Sequence, residues 1–491
     1  MRNITRAGAE SNPKGTRRPP RQRKLRARRR WAGRPRGSVG QPGWLARQVD
    51  GRGQRKAARR AHRSYQALRR ETLGLLKRRE VEQLAWSCEF YQRAPRQIRA
   101  FEFVLCCALG AVVEGKRGFA SVWRLLEAAA KVEVARSAVT QRFGPGSARL
   151  MEQLFLRAVE RVQPAPCPEL LGRLEQFRAV LGHDGSVLCL SPLLRKLFPS
   201  TRTNSVQAAG KLHATADLVH RRIVGVVLSG ERQGEIDVAR SQPIQPGTLY
   251  INDLGYTSYD YFAQIQAAGA ELLMRLKDNA NPRVVAVRHG VRAPVRTARL
   301  RLKLSELKLA TTYDSFDVDA EFDTSDGPIV LRVVGCYDRE AGKYHRYVTT
   351  LGAERFWPEE LGALYRLRWV IELMFKLLKS SCHLDHVDTS DPDALRTHIY
   401  ASLLAATILS TMCSAAAAIH GLPREAISPL MAGIAGPLLV LPLLYLWLQR
   451  RPTPEELADC VLRVLGIGCR DQNPRRTRQQ WGALRSRPQS S

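Results

Sequence analysis

The alternation of apolar and polar positions changes character several times along the chain. From about residue 80 to 162, apolar residues recur at three- and four-residue spacing in AFEFVLCCALGAVV, SVWRLLEAAAKV and SARLMEQLFLRAVERV. That period belongs to helices packed on one face. Between the last two lies VARSAVTQRFG, where Ser137 is placed to cap a short helix bearing Gln141 and Arg142. This is helix-turn-helix material, although any small helical bundle contains short capped helices. After prolines at 164, 166 and 168 the pattern shortens to RAVLGHDGSVLCL, GKLHATADLV, RRIVGVVLSG and GTLYINDLGY. These predict strands, followed by a helix at SYDYFAQIQAAG and a strand at AELLMRLKD, an α/β alternation. From about Asn279 to Leu351, VRTARLRLKL, TTYDSFDVDAEF, IVLRVVGCYD and YHRYVTTL predict antiparallel strands. Helical period returns after Pro358 in ELGALYRLRWVIELMFKLLKS.

Two uncharged stretches, Ile399–Ile419 and Ile427–Gln449, are long enough to raise the question of a membrane span. Pro429, Pro437 and Pro442 argue against a straight span in the second, and buried helices of a large core fit both. No membrane contact is expected.

Charge changes the picture. The 491 residues carry 78 Lys and Arg against 45 Asp and Glu, a formal +33. Such an excess predicts a polyanionic partner, because basic side chains gain affinity by releasing counterions from phosphates. Arg greatly outnumbers Lys, so compositional bias accounts for part of it. The first 80 residues hold 26 Lys and Arg and only four acids, with Pro and Gly throughout. Residues 1–78 are therefore expected to form a disordered basic arm. The ten cysteines include no CxxC pair, which fits reduced thiols and excludes a structural zinc site of the usual spacing. No apolar run stands near the N-terminus, so a cytoplasmic, nucleoid-associated location is expected. GxxxxGK[ST] and GxSxG do not occur.

The candidate chemistry lies in acids set among apolar residues. Asp184 sits inside the apolar run AVLGHDGSVLCL, where a carboxylate must be paired, hydrogen-bonded or bound to metal. Asp253 closes TLYIND ahead of Gly255, at the strand end where an α/β sheet presents ligands. Each alone is weak evidence, because a strand-end Asp is more often a turn residue or a helix cap. Glu372 belongs to a larger pattern. Tyr365, Arg368, Glu372 and Lys379 follow one another at offsets of three, four and seven, which places them along one face of one helix. An acid between an aromatic ring, an Arg and a Lys is suited to holding a cation and gripping phosphate together. His183 neighbours Asp184 but points to the opposite strand face, so it is not a co-ligand. His383 and His386 flank Asp385 without a further ligand at metal spacing.

The run YRLRWVIELMFKLLK matches Y-x2-R-x3-E-x6-K at every position. It resembles the signature of the transposases of bacterial insertion sequences in family four, a branch of the DDE superfamily. HDGS resembles that family's first-Asp motif and NDLGYTSYDYF its second, over roughly residues 95 to 420. The resemblance implies an RNase H-like α/β core with a β-rich insertion, preceded by a helical DNA-binding domain. It implies Asp184, Asp253 and Glu372 as catalytic, metal-binding carboxylates for two Mg2+ ions, with Mn2+ as an alternative. It implies that Tyr365, Arg368 and Lys379 contact the DNA backbone; Arg275 and Lys277 extend the grip or form an ordinary strand edge. The implied partners are double-stranded DNA, as inverted repeats and target, and a second copy of the chain in a synaptic complex. Relatives place a Trp in the insertion against a flipped base. None occurs between Asn279 and Leu351, leaving Tyr313, Phe316 or Tyr344 as substitutes or the device absent.

The expected domains are a basic arm at 1–78, a helical DNA-binding domain at 79–163, core at 164–278, β-rich insertion at 279–355, core with the Glu372 helix at 356–425, and a helical region with a basic tail at 426–491. The implied activity is cut-and-paste DNA transposition, cleavage of element ends followed by joining to target. Its rivals are an inactive or domesticated RNase H-like nuclease and a non-enzymatic nucleic-acid-binding protein.

Overall fold

The computed structural model describes residues 51–491 apart from 114–117, 129, 131, 163–170, 202–205, 292–301, 308–313, 386, 424–425, 449–452, 456–457, 459–461 and 463–491. By contact the chain divides into Met1–Lys56 and Ala57–Ser491, and all that follows concerns the second unit apart from Gly51–Lys56 of the first helix.

Helices α1 (Gly51–Leu75), α2 (Arg78–Ser87), α3 (Ala100–Gly110), α4 (Phe119–Ala128), α5 (Arg136–Thr140) and α6 (Pro145–Arg161) come first. The arm expected to be disordered through residue 78 is thus helical from Gly51. Every proline of the arm lies before that point, and the later stretch is rich in Ala, Arg, Gln and Leu, strong helix formers. Leu68, Thr72 and Leu75, at helical spacing, are buried and anchor the helix. In α5 the cap is Ala135, and Ser137 lies inside the helix rather than capping it. The remainder of the expected arm, residues 1–50, lies outside the described residues.

After α7 (Leu171–Leu174) come β1 (Ala179–Leu190), β2 (Ala208–Asp217), β3 (Arg222–Gly230), α8 (Glu235–Ser241), β4 (Thr248–Asn252), α9 (Tyr259–Ala267) and β5 (Glu271–Arg275). Strands β6 (Arg283–His289), β7 (Ser315–Thr324), β8 (Gly327–Asp338) and β9 (Lys343–Thr349) follow, then α10 (Pro358–Tyr365), α11 (Trp369–Ser380), α12 (Pro392–His420), α13 (Pro429–Ile434) and α14 (Gly436–Leu448). All nine strands share one sheet in the order β3-β2-β1-β4-β5-β9-β8-β7-β6. β1 to β3 are antiparallel, while β4 and β5 run parallel to β1. This mixed sheet flanked by helices accords with the RNase H-like core expected. The β-rich stretch does not stand apart: β9 pairs with β5, so its four antiparallel strands continue the central sheet. The predicted strand at VRTARLRLKL lies largely outside the described residues; its end forms a 3-10 turn at Leu304–Glu306.

One face of the sheet, through Val180, Leu188 and Leu190 of β1, packs on α10, α11 and α12. The other face, through Leu181, Tyr250 and Leu272, packs on α8 and α9. A third apolar cluster joins α1 to α6 with α12 and α14. Among the described residues one helix, α12, is long and apolar enough to cross a membrane, and 72% of its most apolar window is buried inside the protein. Its hydrophobicity thus has a partner within the fold.

Candidate active site

β1 carries Asp184 because its period-two alternation sends residues 180, 184 and 188 to the α11 face. The register leaves this point open. β4 pairs with β1 only at Ala179–Leu181, so the strand runs past the end of its neighbour before it reaches Asp184. Asn252, fully buried at the end of β4, bridges the gap by accepting a hydrogen bond from the His183 backbone N–H at 2.8 Å. Asp253 follows at once, so the same strand end that steadies β1 delivers the second acid. Asn252 was not singled out from the sequence. Its signal was a polar residue in the otherwise apolar run TLYIN.

The third acid arrives on a helix that differs from expectation. Tyr365 ends α10, Arg366–Arg368 form a 3-10 turn, and α11 begins at Trp369. The four signature residues therefore do not share one continuous α-helix. The tighter turn has a consequence, because side chains three apart in a 3-10 turn eclipse one another. Arg368 accordingly lies over the Tyr365 ring, 5.8 Å from its centroid.

The side chains converge in pairs. Tyr365 donates its hydroxyl hydrogen bond to Asp253 Oδ1 at 3.0 Å. Arg368 Nη2 stands 2.5 Å from Glu372 Oε1. Burial opposes the Arg368 charge, but Tyr365, Asp253 and Glu372 outweigh it and hold the guanidinium more firmly protonated than usual. Burial raises the Tyr365 hydroxyl, and the Asp253 charge adds to that. Burial, with Glu235 and Glu372 nearby, pushes Asp184 up to about 6, against the Gly185 N–H it accepts at 2.8 Å and the Arg368 charge. Glu372 thus pairs with the Arg368 guanidinium, where the charges of Asp184 and Asp253, far away in sequence, are also felt.

Lys379 is engaged elsewhere, donating to the Val187 carbonyl of β1 at 2.8 Å, so it braces the helix against the strand. Arg275, at the end of β5, lies 3.0 Å from His345 Nδ1 and within the electrostatic reach of Tyr365. Lys277 is exposed just beyond that strand. Phe316 is buried in a ring pair with Tyr344, which withdraws it from any base-stacking role. Tyr313 and His386 lie outside the described residues. His183 points away from the acids and stacks on Tyr250 at 5.6 Å.

Three oxygen-donor acids suit a hard divalent cation such as Mg2+. In the arrangement seen, however, no group of three His, Cys, Asp or Glu side chains among the described residues stands close enough to hold one. Glu372 is turned to Arg368 and Asp253 to Tyr365.

Glu235 was also missed by the sequence reading. It begins α8, directly after Gly234, and its carboxylate stands over Gly185 and Gly255, the glycines that follow Asp184 and Asp253. Nothing in ERQGEIDVA marks this acid beyond the preference of helix starts for negative charge.

Residues 197–408 match the family model described as the transposase DDE domain. That stretch contains Asp253, Tyr365, Arg368, Glu372 and Lys379 and begins after Asp184. The chain is similar to the transposase for insertion sequence element IS421 of Escherichia coli, 40% identical over 78 residues, 16% of this chain and 21% of that one. It is similar to the transposase for insertion sequence element IS231F of Bacillus thuringiensis subsp. israelensis, 20% identical over 272 residues, 48% of this chain and 57% of that one. The chain spans about a fifth of the length of the first curated relatives it matches. A solved structure, the piggyBac transposase synaptic complex with hairpin DNA, aligns over 82% of this chain and 85% of its own, with 11% identity and a TM-score of 0.38.

Proposed function

We propose that this chain, through the transposase DDE domain it carries over residues 197–408, cuts the terminal inverted repeats of an insertion sequence and joins the freed ends to target DNA. One observation supports this most: Tyr365 bonds Asp253, Arg368 pairs with Glu372, and the charges of Arg368 and Glu372 are felt at Asp184, so a strand, a strand end and a helix bring these acids into one neighbourhood.

The reaction to be served is an in-line exchange of phosphodiesters. Water attacks at the element end and frees a 3′-hydroxyl; that hydroxyl then attacks a target phosphate and displaces its 3′-oxygen. Asp184, Asp253 and Glu372 are the residues that would hold divalent cations. Such ions, when bound, favour the deprotonated nucleophile and offset charge on the leaving oxygen. Arg368 is the phosphate grip, because its planar fork can give up Glu372 for two phosphate oxygens without losing a charged partner. Tyr365 orients Asp253 through its hydroxyl. Lys379 fixes α11 to β1 and so sets the distance between Glu372 and Asp184. Arg275 and Lys277 extend the basic rim toward the DNA backbone. Two element ends must be held together for joining, which calls for two copies of the chain on DNA. The helical stretch 79–163 is the candidate for end recognition.

The test is strand cleavage of DNA carrying the element's own inverted repeats, with Mg2+ supplied. Asp184→Asn, Asp253→Asn and Glu372→Gln should each abolish cutting while leaving DNA binding intact. Full activity in all three variants would refute the assignment; a wild type that binds but never cuts would make this a binding protein.

A further inference from the structure

We propose that Glu235 is a fourth carboxylate of the cation site, reaching Asp184 and Asp253 through a window made by two glycines. The inference rests on the reading of the acids given above and adds a residue to it.

The window follows from register and composition. Gly185 and its cross-strand partner His213 lie on the α8 face of the sheet, opposite the face from which Asp184 projects. A Cβ at Gly185 would stand 2.7 Å from Glu235 Oε1, and one at Gly255 would stand 3.2 Å from Oε2. The Glu235 carboxylate thus fills the space that side chains at both positions would take. Gly185 directly follows Asp184, and Gly255 lies two residues after Asp253. Since β4 has already ended here, no strand closes the gap, and the Glu235 charge is felt at Asp184.

A second observation points the same way. Glu235 borders a cavity of about 110 Å3 also lined by His183, His213 and Tyr256. His213 is 6% exposed; its Nε2 meets Ser229 Oγ at 2.8 Å, and its Nδ1 has no protein partner. Buried imidazole nitrogens in folded proteins are hydrogen-bonded, and a cavity of this size with His213 and Glu235 on its wall has room for water. On the side away from Asp184, Glu235 therefore shares this cavity with the His213 Nδ1, and polar partners there are of the kind that orient metal-holding carboxylates. Among the described residues the cation paired with it is Lys211, whose Nζ stands at 3.6 Å, longer than a charge-assisted hydrogen bond.

Charge balance gives the fourth acid a task. Two divalent ions bring four positive charges, and the triad offsets three. Mg2+ in such sites is held by one or two carboxylates with waters and substrate phosphates, so without DNA a further carboxylate adds to the hold on the ions. Glu235 supplies the missing negative charge from the other face of the sheet.

Mn2+ binding to the full chain without DNA, followed by electron paramagnetic resonance, tests this. Glu235→Gln should weaken Mn2+ affinity by about tenfold or more, with an unchanged melting temperature. Gly185→Ala keeps every acid but pushes Glu235 aside, and should weaken binding in the same direction. Lys211→Met should leave affinity unchanged or tighten it. The proposal is overturned if folded Glu235→Gln binds Mn2+ like wild type while Asp184→Asn does not, or if Lys211→Met weakens binding as much as Glu235→Gln. Wild-type affinity in both Asp184→Asn and Glu235→Gln would overturn the reading of the whole site as well.

Discussion

Arg368 Nη2 lies 2.5 Å from Glu372 Oε1, and the charges of Asp253 and Asp184 are felt together with that of the same guanidinium. It supplies positive charge where the three acids converge. A divalent ion must compete with it for Glu372. Arg368→Gln should therefore raise Mn2+ affinity in the absence of DNA, although it removes a phosphate grip. The pair is half-buried, so about 1 kcal/mol, roughly fivefold in affinity, is the scale to expect. Cleavage of DNA ends should fall at least about tenfold in the same variant. Weaker Mn2+ binding by Arg368→Gln would show that the guanidinium does not compete with the cation.

Tyr365→Phe separates the hydroxyl from the ring. The ring would keep its place 5.1 Å from that of Tyr347, so the fold should hold. Loss of the bond to Asp253 removes a hydrogen bond to a charged acceptor, about 1.5–3 kcal/mol. A single-turnover cleavage rate about tenfold or more below wild type, with a near-normal melting curve, is the expected outcome. A wild-type rate constant would leave Tyr365 with packing alone.

Asp184 sets a pH dependence whose sign is fixed by its environment. Its pKa is raised to about 6 from an ordinary 3.8. A folded state that takes up the proton more readily than the unfolded chain is favoured at low pH. The stability linked to Asp184 is thus fully present below 3.8 and lost as the pH rises through about 6. In chelator at about pH 7.5, Asp184→Asn should be more stable than wild type by about 1–2 kcal/mol after allowance for solvent screening. The gap should narrow as the pH falls toward about 4. A difference in melting temperature that stays constant over that range would contradict the raised pKa.

Asn252 is expected to support β1 at a distance from the chemistry. Asn252→Ala leaves the buried His183 N–H without its acceptor, at a cost of about 1–3 kcal/mol. The urea midpoint should fall accordingly, and Mg2+-dependent cleavage with it, because Asp184 is the next residue along. A normal midpoint would mean that the strand holds its position unaided.

Much of this was legible without the fold. Strands at 179–190, 208–217 and 248–252 follow from short apolar runs, and the spacing of Tyr365, Arg368, Glu372 and Lys379 placed them near one another. Periodicity carries such information because it reflects which face of a local element is buried. Helix α1 was misread because composition was averaged over a stretch whose prolines all precede residue 51. Lys379 was expected at DNA, and its bond to the Val187 carbonyl depends on where β1 passes relative to α11.

The sequence by itself singled out Asp184, Asp253 and Glu372 as candidate acids, and the Tyr-Arg-Glu-Lys spacing, a local property of consecutive turns, set Glu372 beside Arg368. Tertiary structure alone decided that Tyr365 bonds Asp253, that Asn252 supports β1 past the end of β4, and that Glu235 stands over Gly185 and Gly255. Each depends on the relative placement of segments tens to more than a hundred residues apart. A strand that ends early and two positions without a side chain opened the sheet there, and a short-range pattern of apolar residues contains no trace of either.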